Sequence, residues 1–334
     1  MKSFCRIVLC LRRPVIILLL TMSPASIQLT LAQEYPSRPI TLIVPLSAGG
    51  SADTLARILA ERAKSTLGQP VVVENIPTAA GTIGVGRLAQ AAPDGYTIAI
   101  GDQTTNVISS ITYPVPYDVL KDFDPISLLT TSPVVLVARK SMQAPDLKQF
   151  ITWLQERPDG ATVASFGQGS GPHIVSTTFQ NLTGAKFRMV SYRGLTPAIP
   201  DLLSGQIDLM FVEQSNVLGH IRSGTIRAYA ILAKDRSAVL PEIPTIEEAG
   251  GPPLHVVTWR GMWVPKGTPP NVSQRLGVAV VEALSDATVQ KRIADVGQQI
   301  VPRAQQTPQA LASHHKAEVE KWTSMIKAAN IKSE

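Results

Sequence analysis

Cysteine is nearly missing from this chain. Its 334 residues include two, Cys5 and Cys10, and both fall in a leader-like segment. Without that segment no disulfide, thiol nucleophile or lipid-anchoring cysteine remains. Histidine is scarce too, and His220, His255, His314 and His315 have no companions at metal-ligand spacing, so packing or surface roles are expected for them. No Gly-Lys-Ser/Thr follows the glycine pair Gly49-Gly50, which argues against a nucleotide phosphate. Beyond the leader, no apolar run approaches the ~20 residues of a membrane-spanning helix. A strong net charge is lacking as well. The formal balance is 31 − 25 = +6, and the first 32 residues hold four basic and no acidic groups, which leaves 27 − 25 = +2. The high isoelectric point is therefore a targeting feature, and no basic patch argues for nucleic acid.

The leader reads as a secretory signal peptide. Lys2, Arg6, Arg12 and Arg13 form a basic head, a short apolar core follows, and Thr30-Leu31-Ala32 supplies small residues at the cleavage positions. Cleavage is expected after Ala32, with Ala25 as a second option. Pro24, Ser26 and Gln28 interrupt the core, so a retained anchor is the weaker reading. About 300 residues remain, enough for two domains of roughly 100–200 residues each. They are expected to be soluble and exported to the periplasm.

The exported part is organised around residues 39–62. Ile40 to Val44 is apolar and partly β-branched between two prolines, as in a strand buried on both faces. From Ala52 the period becomes helical, with Leu55, Ile58 and Leu59 on one side. Between them, Ser47, Gly49, Gly50 and Ser51 make a small-residue turn at a helix start, a place suited to an anion. Ser51 is the expected N-cap, and Asp53 would suit the helix end while weakening its pull on an anion.

Strand-helix alternation continues. Strands are expected at 70–74 and 97–100, the latter ending in a polar loop over 101–106 that contains Gln103. Three such units in succession imply a parallel sheet with right-handed crossovers. After an irregular stretch and a long apolar run over 126–138 broken by Pro133, a second α/β series begins. Its strands are expected at 162–165, 188–191, 206–212 and 226–232. An apolar segment over 256–264 returns the chain to the first series, and three helices finish it.

Several motifs are formal only. Gly84-Val85-Gly86-Arg87-Leu88-Ala89 matches a dinucleotide fingerprint but lies about ten residues beyond its strand, inside a helix, where close packing explains it. The turn after Ser165 contains Gly169, Ser170 and His173 and repeats the first design, with Ser170 as a cap. Gln168 to Pro172 reads QGSGP and so fails the Gly-x-Ser-x-Gly nucleophile elbow at both ends. His173 in a first helical turn would be held neutral by the dipole. Trp153, Trp263 and Trp322 are expected in the core, with Trp259 the possible exception as a ligand-stacking residue.

YPSRPITLIVP, AGGSAD, LGQPVVVEN, AAPDGYT, SFGQGSGPH, Tyr192-Arg193-Gly194, DLLSGQIDLMF, HIRSGTIRA, LPEIPTIEEAG and VPKGTPP occur in that order. Together they resemble the Bug family of extracytoplasmic solute receptors, also called tripartite tricarboxylate transporter receptors, over residues 35–334. The resemblance implies an α/β, type II-like periplasmic-binding-protein fold. Each domain would be a mainly parallel sheet flanked by helices, with residues 33–132 and 258–334 in domain 1, 133–257 in domain 2, and two crossovers. It implies a monomer without a cofactor or metal that binds a small carboxylate and passes it to a membrane permease or a sensor kinase. The carboxylate would be held by backbone amides and waters at two facing loops, residues 47–51 with 78–81 and residues 165–173. Ser47, Gly49, Gly50, Ser51, Thr78, Gln103, Ser165, Gly169, Ser170, His173, Tyr192 and Glu213 are the candidate contacts.

Three departures from the family pattern bear on the site. Leu46 stands where an aromatic is usual, Thr78-Ala79-Ala80-Gly81 replaces a Gly-Ala-Gly-Gly run, and Glu213 replaces a common Asp. An inward, ionised Glu213 would repel a second carboxylate. A pairing with Arg193, or a place on the rim, would not. The rival reading is an enzyme acting on a small carboxylate on the same fold, because such folds also host chemistry. The lack of an acid-base constellation favours binding.

Overall fold

The computed structural model describes residues 34–157, 159–194 and 196–328. The expected leader and its cleavage site lie outside the described residues, and the described residues from Tyr35 onward group as one compact unit.

The chain runs β1 (Ile40–Val44), α1 (Ser51–Leu67), β2 (Val71–Asn75), α2 (Thr82–Ala89), β3 (Thr97–Asp102) and α3 (Ser109–Thr112). Then come β4 (Phe123–Arg139), α4 (Leu147–Gln155), β5 (Ala161–Ser165), α5 (Gly171–Thr183), β6 (Phe187–Ser191) and α6 (Ile199–Ser204). The rest is β7 (Leu209–Glu213), α7 (Gln214–Arg222), β8 (Ile226–Ile231), β9 (Val257–Pro265), α8 (Pro270–Ser285), α9 (Ala287–Asp295), β10 (Gln299–Ile300) and α10 (Pro308–Ala328).

The strand order is β2-β1-β3-β9-β4-β7-β5-β6, with β8 and β10 also on β4. Each end of this path is a parallel three, β2-β1-β3 and β6-β5-β7. The middle is antiparallel, because β9 returns along β3 and β4, and β4 then runs antiparallel to β7 and β8. β4 is one strand of 17 residues. Its pairing passes from β9 to β7 and β8 at Pro133-Val134. The proline expected to break the run instead marks that change of partner, where a missing N–H is tolerated.

The periods seen in the sequence place the core. Leu55, Ile58 and Leu59 of α1 pack with Ile40, Leu42 and Ile98 of the sheet and with Leu276 and Val280 of α8. α1 ends at Gly68, whose φ of 72° is the left-handed conformation that glycine adopts without strain. In the other half, Val135, Val137, Met210 and Val212 meet Leu202, Val217 and Leu218.

Two local expectations differ, and the segment after Glu213, for which the sequence set no expectation, is a helix. The 101–106 loop is not a loop: β3 continues to Asp102, and Thr104–Ile108 form one π-helical turn. The Asp102 carboxylate accepts the Thr104 and Thr105 amides at 2.9 and 3.0 Å, which starts that turn. The helix after Glu213, α7, begins directly at Gln214. Trp259 is not available for stacking on a ligand. It is 1% exposed, and its indole N–H donates to Glu318 at 3.1 Å. Trp322 donates to the same carboxylate.

Candidate functional site

A cavity of about 590 Å³ lies where the carboxyl ends of β1, β3 and β7 face one another. Seven of the twelve candidate contacts line it: Ser47, Gly50, Ser51, Thr78, Gln103, Tyr192 and Glu213. Gly49, Ser165, Gly169, Ser170 and His173 do not. Ser165 ends β5, with its carbonyl taken by the Tyr192 amide. Gly169 donates its amide to His173 Nδ1 at 3.1 Å, and burial lowers the His173 pKa, so that ring is a neutral acceptor capping its own turn. Ser170 occupies the N-cap position of α5, but its hydroxyl donates to the Gly167 carbonyl at 2.7 Å.

The start of α1 also differs from expectation. Gly50, not Ser51, is the N-cap residue. The amides that would receive an anion are already occupied. Asp53 accepts the Gly49 N–H at 2.9 Å, and Asn216 of α7 accepts the Ser51 N–H at 2.9 Å. Burial alone would raise the Asp53 pKa, but hydrogen bonds from Arg57 and Gly49 outweigh it and hold the carboxyl low. In this arrangement α1 is closed by the protein's own acceptors. Ser47 is tied across as well, donating to the Arg193 carbonyl at 2.7 Å.

Ser51 is drawn into a buried ionic cluster. Arg260 on β9 grips Glu213 with both arms of its guanidinium, at 2.9 and 2.5 Å. The Ser51 hydroxyl donates to Glu213 and accepts from Arg260, at 2.9 and 2.7 Å. Gln298 ties in by donating to the Ser51 carbonyl at 2.9 Å. Arg260 is 1% exposed and Glu213 6%. Burial would push Glu213 up, yet the Arg260 charge and its hydrogen bonds win and lower its pKa. Asp102 on β3 pairs in register with Arg260 on β9, and its pKa is raised, because burial outweighs the pull of Arg260 and of the Thr105 amide. Glu213 meets the first sequence expectation in its placement but not in its consequence. It faces inward and is ionised, but its partner is Arg260, not Arg193, and its charge is spent on that partner. Arg260 carried a usable signal, a single charge inside the apolar run 256–264.

The opposite wall is the 78–81 turn. Ala79 and Ala80 have φ of 50° and 51°, and Gly81 has 87°. Two adjacent alanines in the left-handed region cost roughly 1–2 kcal/mol each. Their amides find no partner among the described residues, whereas the Gly81 amide bonds to the Thr78 carbonyl at 3.0 Å. Consecutive amides in such a turn form a concavity suited to an anion. Replacing Ala80 by glycine is expected to stabilise the unliganded protein by about 0.5–1 kcal/mol, since the strain relieved exceeds the added chain entropy. Thermal melting checks this, and a lower melting temperature would show that the turn is unstrained.

Comparison with known proteins supplies the family. The profile described as tripartite tricarboxylate transporter family receptor matches residues 55–331. Protein BugT of Bordetella pertussis is 36% identical over 304 residues, covering 90% of this chain and 92% of that protein. MatC from Rhodopseudomonas palustris, solved with bound malate, superposes with a TM-score of 0.83 at 35% identity, over 87% of this chain and 100% of that one. Rpa4515 of R. palustris, solved with adipate, gives 0.84 at 28% identity, over 89% and 99%. The chain belongs to the tripartite tricarboxylate transporter receptor family, whose members include the Bug proteins, and it has their two-domain periplasmic-binding-protein fold. It is a solute-binding receptor by family.

Proposed function

We propose that this protein is a periplasmic receptor that encloses a small carboxylate between two domains and delivers it to a tripartite-type membrane permease. The observation that carries the reading is the 78–81 turn, where unpaired Ala79 and Ala80 amides are held in a strained conformation on the wall of the cavity. Strain of this kind persists where it serves a ligand. The malate and adipate bound by the two relatives fit the same chemistry. The α1 start, filled by Asp53 and Asn216, takes the lesser part.

The domain boundaries we propose follow the sheet. β4 changes partner at Pro133-Val134, and Val256 bonds back to Val134 at 3.0 Å, so these two strands are the hinge. The protein works as an exported monomer, its leader removed near Ala32.

Native mass spectrometry of the purified, unrefolded protein is expected to show a retained carboxylate at one per chain. Unfolding and refolding in ligand-free buffer should remove it. A protein that retains nothing and gives no calorimetric signal with mono-, di- or tricarboxylates would sink the receptor reading. A product that accumulates with repeated turnover would replace it with the enzyme reading.

A further inference from the structure

Resting on the receptor reading, we propose that this site takes a monocarboxylate whose remainder carries a neutral hydrogen-bonding group, and that Gln103 reads that group. Gln103 sits at the end of β3, lines the cavity and is 5% exposed. Its Oε1 is fully buried without a partner, and no described residue bonds its Nε2. A buried acceptor left unpaired is costly, and a rotation of the side chain that brings it to a ligand removes that cost. A half-turn of the amide exchanges its oxygen and nitrogen, so Gln103 can offer either a donor or an acceptor. The neighbouring Thr78 and Thr104 hydroxyls, also on the wall, bond to no described residue.

The charges around the cavity set the number of carboxylates. Two acids line it, Asp102 and Glu213. Arg260 neutralises Glu213, while Asp102 has no cation at salt-bridge distance among the described residues. Arg193 is the lining cation without an acid partner among them, and it is exposed. One cation and the amides of the 78–81 turn suit one carboxylate. A second would find no counter-charge left on the cavity wall.

Calorimetry with matched probes tests both parts. Adipate is compared with adipamate and hexanoate, and succinate with succinamate and butyrate. The monoamides are expected to bind at least tenfold tighter than the dicarboxylates of the same length. In Gln103→Leu, monoamide affinity should fall about tenfold while the methyl-ended acids stay within twofold, and the melting temperature of the unliganded protein should hold or rise. A merely structural Gln103 would instead lower the melting temperature and weaken all probes alike, which overturns its assignment. Dicarboxylates binding as tightly as the monoamides overturn the charge argument and leave the receptor reading standing. Saturable binding by no probe overturns the proposal. The native mass spectrum then separates the two readings, because a retained di- or tricarboxylate keeps the receptor and an empty protein removes both.

Discussion

Arg260→Met is expected to lower the melting temperature at pH 7 by about 6–20 °C. Removing one partner of a buried ion pair leaves an uncompensated charge, which typically costs 3–5 kcal/mol, and a chain of this size loses about 2–4 °C per kcal/mol. Here the variant strands two acids, Glu213 and Asp102, beside an unfilled hydrogen-bond cluster at Ser51 and Gln298. The double variant Arg260→Met/Glu213→Leu should recover more than half of the loss, since an apolar pair often replaces a buried salt bridge at little cost. Glu213→Gln alone should cost less than Arg260→Met, because an amide keeps the Ser51 contact and arginine can still face Asp102.

The pH dependence contributed by Glu213 has opposite signs in the two proteins. In the wild type, Glu213 is lowered by Arg260, so its contribution is present above the unfolded carboxylate pKa and is lost as pH falls through the folded value. Asp102 is raised and works the other way, its share being full below the unfolded pKa and lost as pH rises through the folded one. Without Arg260 both acids are buried unpaired and both are raised. The deficit of Arg260→Met should therefore shrink as pH falls from 7 toward 5, when these groups bind protons. A melting difference that stays constant over that window would mean the two carboxylates are hydrated in the variant.

The cluster also shows what a sequence can and cannot expose. The strand-turn-helix at β1 and α1 was legible because ITLIV stands between prolines and the period changes at Ala52. The two α/β series were legible for the same local reasons. The departure of the 78–81 turn from a glycine run was visible too, and it became the strained wall of the cavity. The filling of the α1 start was half visible: Asp53 is four residues from Gly49, but Asn216 is 165 positions from Ser51. Arg260 meets Glu213 across 47 positions, and no local pattern foretells that pairing. Its signal was compositional, one charge in a buried strand, where charged residues are seldom found unpaired. α7 was missed because it starts at the residue after β7 with no intervening turn, and its Gly219 weakens the helical pattern. The π-turn at Thr104–Ile108 depends on the Asp102 carboxylate capping two amides, a side-chain choice that apolar periodicity does not report.

Gly50→Val should weaken ligand binding by about fivefold to a hundredfold while leaving the fold intact. Gly50 has φ of −79° and ψ of 174°, extended backbone that valine adopts readily, so the chain itself is not strained. The obstacle is what lies opposite. A β-carbon there would sit 3.3 Å from the Ser47 carbonyl oxygen, 3.3 Å from Thr196 Oγ1 and 3.9 Å from Asn216 Oδ1. Thr196 and Asn216 belong to the half of the sheet that carries β7, and Gly50 to the half that carries β1. Alanine fits if these neighbours give by a few tenths of an ångström. The two further methyl groups of valine do not fit, and overpacking of this degree costs about 1–3 kcal/mol. The domains can escape that cost by opening at the proposed hinge, so the penalty is expected to fall on closure and on binding rather than on folding. At 1.4 kcal/mol per factor of ten, the affinity loss runs from several-fold to about a hundredfold. Gly50→Ala is the control and should stay within threefold of wild type. Small-angle scattering with saturating ligand should show wild type contracting and Gly50→Val remaining expanded, with melting temperatures of the two unliganded proteins within about 2 °C. Wild-type affinity in the valine variant would mean that Gly50 does not lie on the closing surface, and the Ser51–Asn216 and Ser47–Arg193 bonds would then be contacts of the resting state alone.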